Sequence, residues 1–201
     1  MAWVDPPTWD ADDPWLHTDA NQYVTDNTEY LYGQLSNIFV LNEMSTTPVE
    51  INNSADWTNV VTFVVDADEL AGANGFKVKV WFEFDNSFFS GASFSVRMKY
   101  GGTTLASITA DGLTQPNTAY GIIDALLWET AENTQEGILQ EIYMTPSTFN
   151  NPDYPVSADG GTGAVDSSEA RNLEIDVQLS NADANLTWTM KFYHVHKLTA
   201  E

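Results

Sequence analysis

The chain has 201 residues, 43% hydrophobic and 12% aromatic, enough for one full-sized domain with a core of its own. It carries 29 acidic residues against seven basic ones, a formal net charge of -22, which repels nucleic acid and anionic lipid and excludes both as direct partners. There is no cysteine, so disulfides, thiolate metal sites and thiol nucleophiles are excluded, and the apolar runs are too short to span a membrane.

Residues 1–17 form a leader, AWVDPPTWDADDPW from residue 2, rich in Trp, Pro and Asp and fitting neither a helical nor a strand period. It has no basic n-region and no apolar h-region, so no secretory signal is expected, and synthesis in a host cytoplasm is expected. The first 76 residues hold thirteen acids and no Lys or Arg. Residues 18–35, TDANQYVTDNTEYLYGQL, predict one helix. Thr18 or Asp19 caps its start, Gln22 completes a capping box with Asp19, and Gly33 ends it. Tyr23 with Tyr30 and Val24 with Leu31 make a narrow apolar stripe on an otherwise polar cylinder.

From about residue 49 the period changes to two, and eight strands are predicted: 57–65, 76–84, 93–100, 103–110, 120–130, 136–145, 171–180 and 186–196. Phe76, Val78, Val80, Phe82 and Phe84 form one apolar face. Phe94, Val96, Met98 and Tyr100 form a second, and Leu173, Ile175, Val177 and Leu179 a third. In the last strand Leu186, Trp188, Met190 and Phe192 are expected inward, with Tyr193 outward. Trp81 and Trp128 also fall on outward positions. Gly101-Gly102 marks a tight hairpin. One polar face per strand and mostly short turns give an all-β fold, an eight-stranded antiparallel jelly-roll β-sandwich, over 49–201, preceded by an arm and helix over 1–48. The Pro, Gly, Asn and Asp-rich stretch 145–170 reads as one long loop.

The leader and helix resemble the N-terminus of a group of tailed-phage and prophage virion proteins. The matching residues are Trp3, Pro7, Thr8 and Trp9, then Thr18, Asn21, Tyr23, Asp26, Asn27 and Leu31. The stretches VVTFVVDADELAGANGFKVKVWFEF (60–84), FSVRMKYGGTTLAS (94–107) and RNLEIDVQLSNADANLTWTMKF (171–192) are similar to that group's first and last strands. The chain departs from the group at Thr25, near which a basic residue is usual. The resemblance implies a trimeric jelly roll like the tumour-necrosis-factor fold, held on a virion. Trp3, Pro7, Trp9, Trp15, Tyr23, Tyr30 and Leu31 are then the docking residues, since large aromatic anchors on an extended, proline-set path suit an interface. The partners it implies are two further copies of the chain and the major capsid protein or other virion proteins. A host surface glycan is a further candidate partner.

Little enzyme chemistry is legible. No G-x-S-x-G occurs, and three histidines offer little for a catalytic triad. SADGGTGAVD (157–166) lacks the lysine of a phosphate loop and reads as a flexible loop tip. Paired acids such as DADD (10–13) and DADE (66–69) follow from composition, and Asp66, Asp68 and Glu69 read as solvated acids rather than a calcium site. His194 and His196, two apart on one strand, share a face at a usable metal-ligand spacing, with no third ligand to name. No cofactor is expected. The leading expectation is a non-enzymatic decoration or cement protein on a capsid surface, because the chain has no shaft repeat or long coiled coil. A tail-tip or fibre-head adhesin is the alternative, and a carbohydrate-binding module, with Trp81 or Tyr193 stacking on sugar, a third.

Six of the seven Lys and Arg fall in predicted strands, and Lys197 directly follows the last, while the acids crowd the leader and loops, a distribution that suits high salt and a halophilic or marine source. Seven bases cannot neutralise 29 carboxylates, so self-repulsion is large in dilute buffer. The melting temperature is expected to rise with monovalent salt as the Debye length shrinks from ~30 Å at 0.01 M to ~3 Å at 1 M. Melts in sodium chloride and in calcium chloride at matched ionic strength check this. A temperature flat across monovalent salt, or a jump with calcium alone, would overturn the screening account.

Overall fold

Strict alternation of apolar and polar residues becomes strand after strand. The computed structural model describes residues 40–71, 74–87, 92–113, 117–144 and 156–199. Among them run β1 (Val40–Ser45), β2 (Val49–Asn52), β3 (Thr58–Val65), β4 (Gly75–Asn86), β5 (Ala92–Tyr100), β6 (Thr103–Leu113), β7 (Asn117–Ala131), β8 (Thr134–Met144), β9 (Val156–Gly163), β10 (Arg171–Leu179) and β11 (Leu186–Leu198). The predicted helix at 18–35 and the leader lie outside the described residues.

The strands make two antiparallel sheets. The larger has seven strands in the order β1-β11-β4-β7-β8-β9, with β2 also paired to β11; the smaller has four, β3-β10-β5-β6. The pairing explains the architecture. β5 pairs β6 at the tip of a folded ribbon, followed by β4 with β7, β3 with β10 and β2 with β11. Successive pairs fall in alternate sheets, which is the jelly-roll winding. The fold class is as expected, but its eight strands are not the predicted eight. β2, only four residues long, belongs to the roll, whereas β8 and β9 are an added pair that widens the larger sheet beyond β7. Val40–Ser45, left with the arm by the sequence reading, is also a strand.

The core lies between the sheets. Phe82 and Trp188 stack with ring centroids 5.3 Å apart, and Phe94 of the opposite sheet meets Phe82 edge-on at 5.3 Å and Phe84 at 5.0 Å. The faces expected inward on β4, β5 and β10 are all buried. The β5–β6 turn has φ of 53° at Gly101 and 82° at Gly102, the left-handed pair that a two-residue hairpin requires.

On the outer face of the smaller sheet, Asp176 is only 3% exposed. Its carboxylate takes Arg97 at 2.9 Å and Lys99 at 3.0 Å, with Asn59 donating a further bond at 3.0 Å. Burial pushes its pKa up, but the hydrogen bonds from Asn59, Lys99 and Arg97 outweigh this and hold it below the usual carboxylate value. The Trp57 ring lies over the Arg97 guanidinium at 4.2 Å.

Two sequence expectations are corrected. The register of β11 against β4 shifts between Met190 and Phe192, so Lys191 is an extra residue. This bulge reverses the side-chain alternation. Leu186, Trp188 and Met190 point inward as expected, but beyond the bulge Tyr193 and Val195 are buried and Phe192 turns out. The second correction concerns 145–170, which contains strand β9. Its glycines are there for space: a Cβ on Gly161 would stand 2.4 Å from the Leu105 carbonyl oxygen of β6, and one on Gly163 2.5 Å from the Leu105 side chain. Here the free edges of the two sheets meet, and Asp159 accepts the Ser107 backbone N–H at 2.9 Å across the seam.

Gly161→Ala should therefore cost about 1–3 kcal/mol in denaturant unfolding, because backbone, not a flexible side chain, must give way. Gly160→Ala, whose Cβ would meet nothing closer than 3.3 Å, should cost less. Equal stability of the two variants would show that the seam is not tight.

Candidate functional site

The bulge at Lys191 builds a surface as well as a core. On the outer face of the larger sheet β11, β4 and β7 lie side by side, and Phe192 and Ile122 stand opposite Trp81 on either side. The Trp81 and Phe192 rings stack with centroids 4.3 Å apart and planes 15° from parallel. Tyr120, which is 49% exposed, lies beyond Ile122 on β7. Together with Gly121 and Lys191 these residues line a groove of about 300 Å³. Its floor is apolar and aromatic. At its edge the Lys191 ammonium pairs with Glu83 at 2.9 Å.

Along the same face the surface turns polar. His194 meets the Trp81 ring edge-on at 4.8 Å, and His196 meets His194 edge-on at 4.3 Å. Opposite them on β4 are Lys79 and Lys77, and next on β7 is Asp124, whose Oδ2 lies 3.5 Å from Lys79 and 3.9 Å from Lys77. Burial first, then the His196 and Lys79 charges, hold the His194 imidazole below its ordinary pKa, with Asp124 opposing.

The sequence-predicted residues fall as follows. Trp81 is on the outer face, as expected. Trp128 is on the same face, half-buried, opposite Gly75. Tyr193 is no sugar platform: it is 7% exposed and its hydroxyl donates to Glu43. Burial, then the Glu43 carboxylate, push its pKa up to about 12. His194 and His196 do share a face, and among the described residues no group of three or more His, Asp or Glu could hold a metal ion. Of the DADE acids, Glu69 is engaged by Lys197 at 2.8 Å and by the Asp66 backbone N–H at 3.2 Å. Trp3, Pro7, Trp9, Trp15, Tyr23, Tyr30 and Leu31 lie outside the described residues. Sequence reasoning missed Phe192, Tyr120, Ile122 and Lys191. The outward phase of Ile122 was there to be read in YGIIDALLWET, where alternate residues from Gly121 to Leu127 are buried.

No protein family matches the sequence, and no curated protein is similar to it. Solved structures with a similar fold include a sugar-binding protein, the EclA C-terminal domain, at 12% identity and a TM-score of 0.35, covering 77% of this chain and 81% of that one. The CBM2 module of the evolved Dit protein of Lactobacillus casei BL23 phage J-1 is 8% identical with a TM-score of 0.37, covering 70% and 69%. Lectin I-B4 from Griffonia simplicifolia is 10% identical with a TM-score of 0.31, covering 78% and 79%. The architecture itself stands on the strand pairing. Among the described residues no helix is long and apolar enough to cross a membrane.

A depressed pKa at His194 means that the unfolded chain takes up this proton first, at about pH 6.5. The stability His194 contributes is therefore complete above that pH and is lost as pH falls through its lower folded pKa. Its NMR titration midpoint should lie below 6.5, and His194→Gln should flatten the fall in melting temperature between about pH 7 and pH 5.5. A midpoint above 6.5 would overturn this assignment of charges.

Proposed function

We propose that the protein is a non-enzymatic carbohydrate-binding module of the adhesin kind, belonging to the virion of a tailed virus, that holds a pyranose ring in the Trp81 groove. The observation that carries the reading is the groove itself: an indole braced by a parallel phenyl ring and flanked by the exposed Tyr120, with charged groups at its edge. Such a surface presents a flat apolar face to the C–H side of a sugar and polar groups to its hydroxyls. A preformed stack loses little side-chain freedom on binding, so more of the contact energy appears as affinity.

The virion setting is supported by the sequence resemblance. Capsid decoration, the first expectation, depends on docking residues in the arm, whereas the groove favours the adhesin alternative and makes a host surface glycan the partner. A homotrimer, implied by the same resemblance, would offer three grooves and multiply a weak single-site affinity by avidity.

Glycan-array screening followed by calorimetry on the full chain tests the proposal. A neutral or acidic pyranose should bind, Trp81→Ala should weaken binding at least tenfold, about 1.4 kcal/mol, and Tyr120→Ala should weaken it less. Circular dichroism should show both variants folded. Binding unaffected by either substitution, or no glycan bound by the native chain, would overturn the reading.

A further inference from the structure

All seven basic side chains sit in ion pairs, and in most of them carboxylates match the cations. Arg171 has Glu169, Lys191 has Glu83 and Lys197 has Glu69, each at 2.8 or 2.9 Å. Arg97 and Lys99 together have Asp176 and Glu174 at 2.9 to 3.1 Å. Lys77 and Lys79 are different. The two ammonium groups share one carboxylate oxygen of Asp124, at 3.9 and 3.5 Å, and both side chains remain about 30% exposed. Among the described residues, those facing this pair supply no second carboxylate. From β11 they are His196 and His194; from β7 they are Leu126 and Asp124; Gln140 of β8 lies beyond Asp124 and Ile138 beyond Leu126. In a chain of net charge -22, an excess of positive charge has been left at this place.

The place adjoins the groove. Lys79 lies two residues along β4 from Trp81 on the same face, about 6.6 Å away. At physiological salt the Debye length is about 8 Å, so a ligand group here responds to the two lysines while the distant acids of the chain are largely screened.

We propose that the pyranose held on Trp81 is an acidic sugar, and that Lys79 and Lys77 form the subsite for its carboxylate. This inference rests on the glycan reading of the same groove. A carboxylate between the two ammonium groups restores local charge balance and gains charge-assisted hydrogen bonds that a neutral sugar lacks. The shared chemistry is a carboxylated pyranose, found both in hexuronic acids and in sialic acids.

Calorimetry on the full chain at about 0.15 M salt with galacturonic acid trimers, galactose trimers and sialyllactose separates the outcomes. At least one acidic sugar should bind tenfold or more tightly than the galactose trimer, and which one binds identifies the source of the carboxylate. The Lys77→Gln, Lys79→Gln double variant should reduce that affinity to the level of the neutral sugar, whereas Trp81→Ala should weaken acidic and neutral sugars alike. Neutral sugar bound as tightly as acidic sugar, or a preference that survives the double substitution, overturns the inference and leaves the glycan reading standing. No binding of any of the three, with none on the array, overturns both.

Discussion

One extra residue in the last strand sets both faces of the larger sheet. β11 lies next to one edge of that sheet, with β4 on one side and the edge strands β1 and β2 on the other. Without the bulge at Lys191, the phase that buries Trp188 and Met190 would carry Phe192 and His194 into the core, and Tyr193 and Val195 out to solvent. With it, Tyr193 is buried against Glu43, and Phe192 lies flat against Trp81. The aromatic stack, the edge-on contact of His194 with Trp81 and the placement of Lys191 beside Glu83 all descend from that local break in alternation.

The width of the sheet has a separate origin. A jelly roll needs four strands in each sheet, and the β8–β9 addition gives the outer face a broader floor beyond β7. Adding a strand at an edge normally leaves unpaired backbone groups and invites aggregation. Here the new edge folds back onto β6, and the approach is so close that a Cβ on Gly161 would meet the Leu105 carbonyl oxygen. The glycines that make this stretch look like a loop are what allow the sandwich to close along that side.

Charge is organised at two scales. Over the whole chain carboxylates outnumber cations roughly fourfold, which governs solubility and the response to salt. Within a Debye length the arrangement is local. The half-buried cations of the smaller sheet hold Asp176 ionised, whereas the two lysines of β4 share one partner at longer range. Carboxylates thus match the cations on the outer face of the smaller sheet, whereas on the outer face of the larger sheet two cations share one.

The class of fold was legible in the sequence because burial on one side of a strand imposes a period of two, and β4, β5 and β10 keep that period without interruption. Trp81 was placed outward for the same reason. Charge balance and the absence of cysteine likewise excluded whole classes of function without reference to structure. Phe192 was not legible, because LTWTMKFYHVH reads in one phase and nothing in its composition marks the inserted residue. Nor was β9, since the demand for glycine there comes from Leu105, more than fifty positions away in the chain. Alternation is a property of neighbouring residues, so the sequence by itself determined which segments extend and, where no bulge intervenes, which side each buries. Strand order, the bulge and the meeting of Trp81, Phe192 and Tyr120 depend on segments far apart in the chain, and those were decided only when the two sheets closed on a common core.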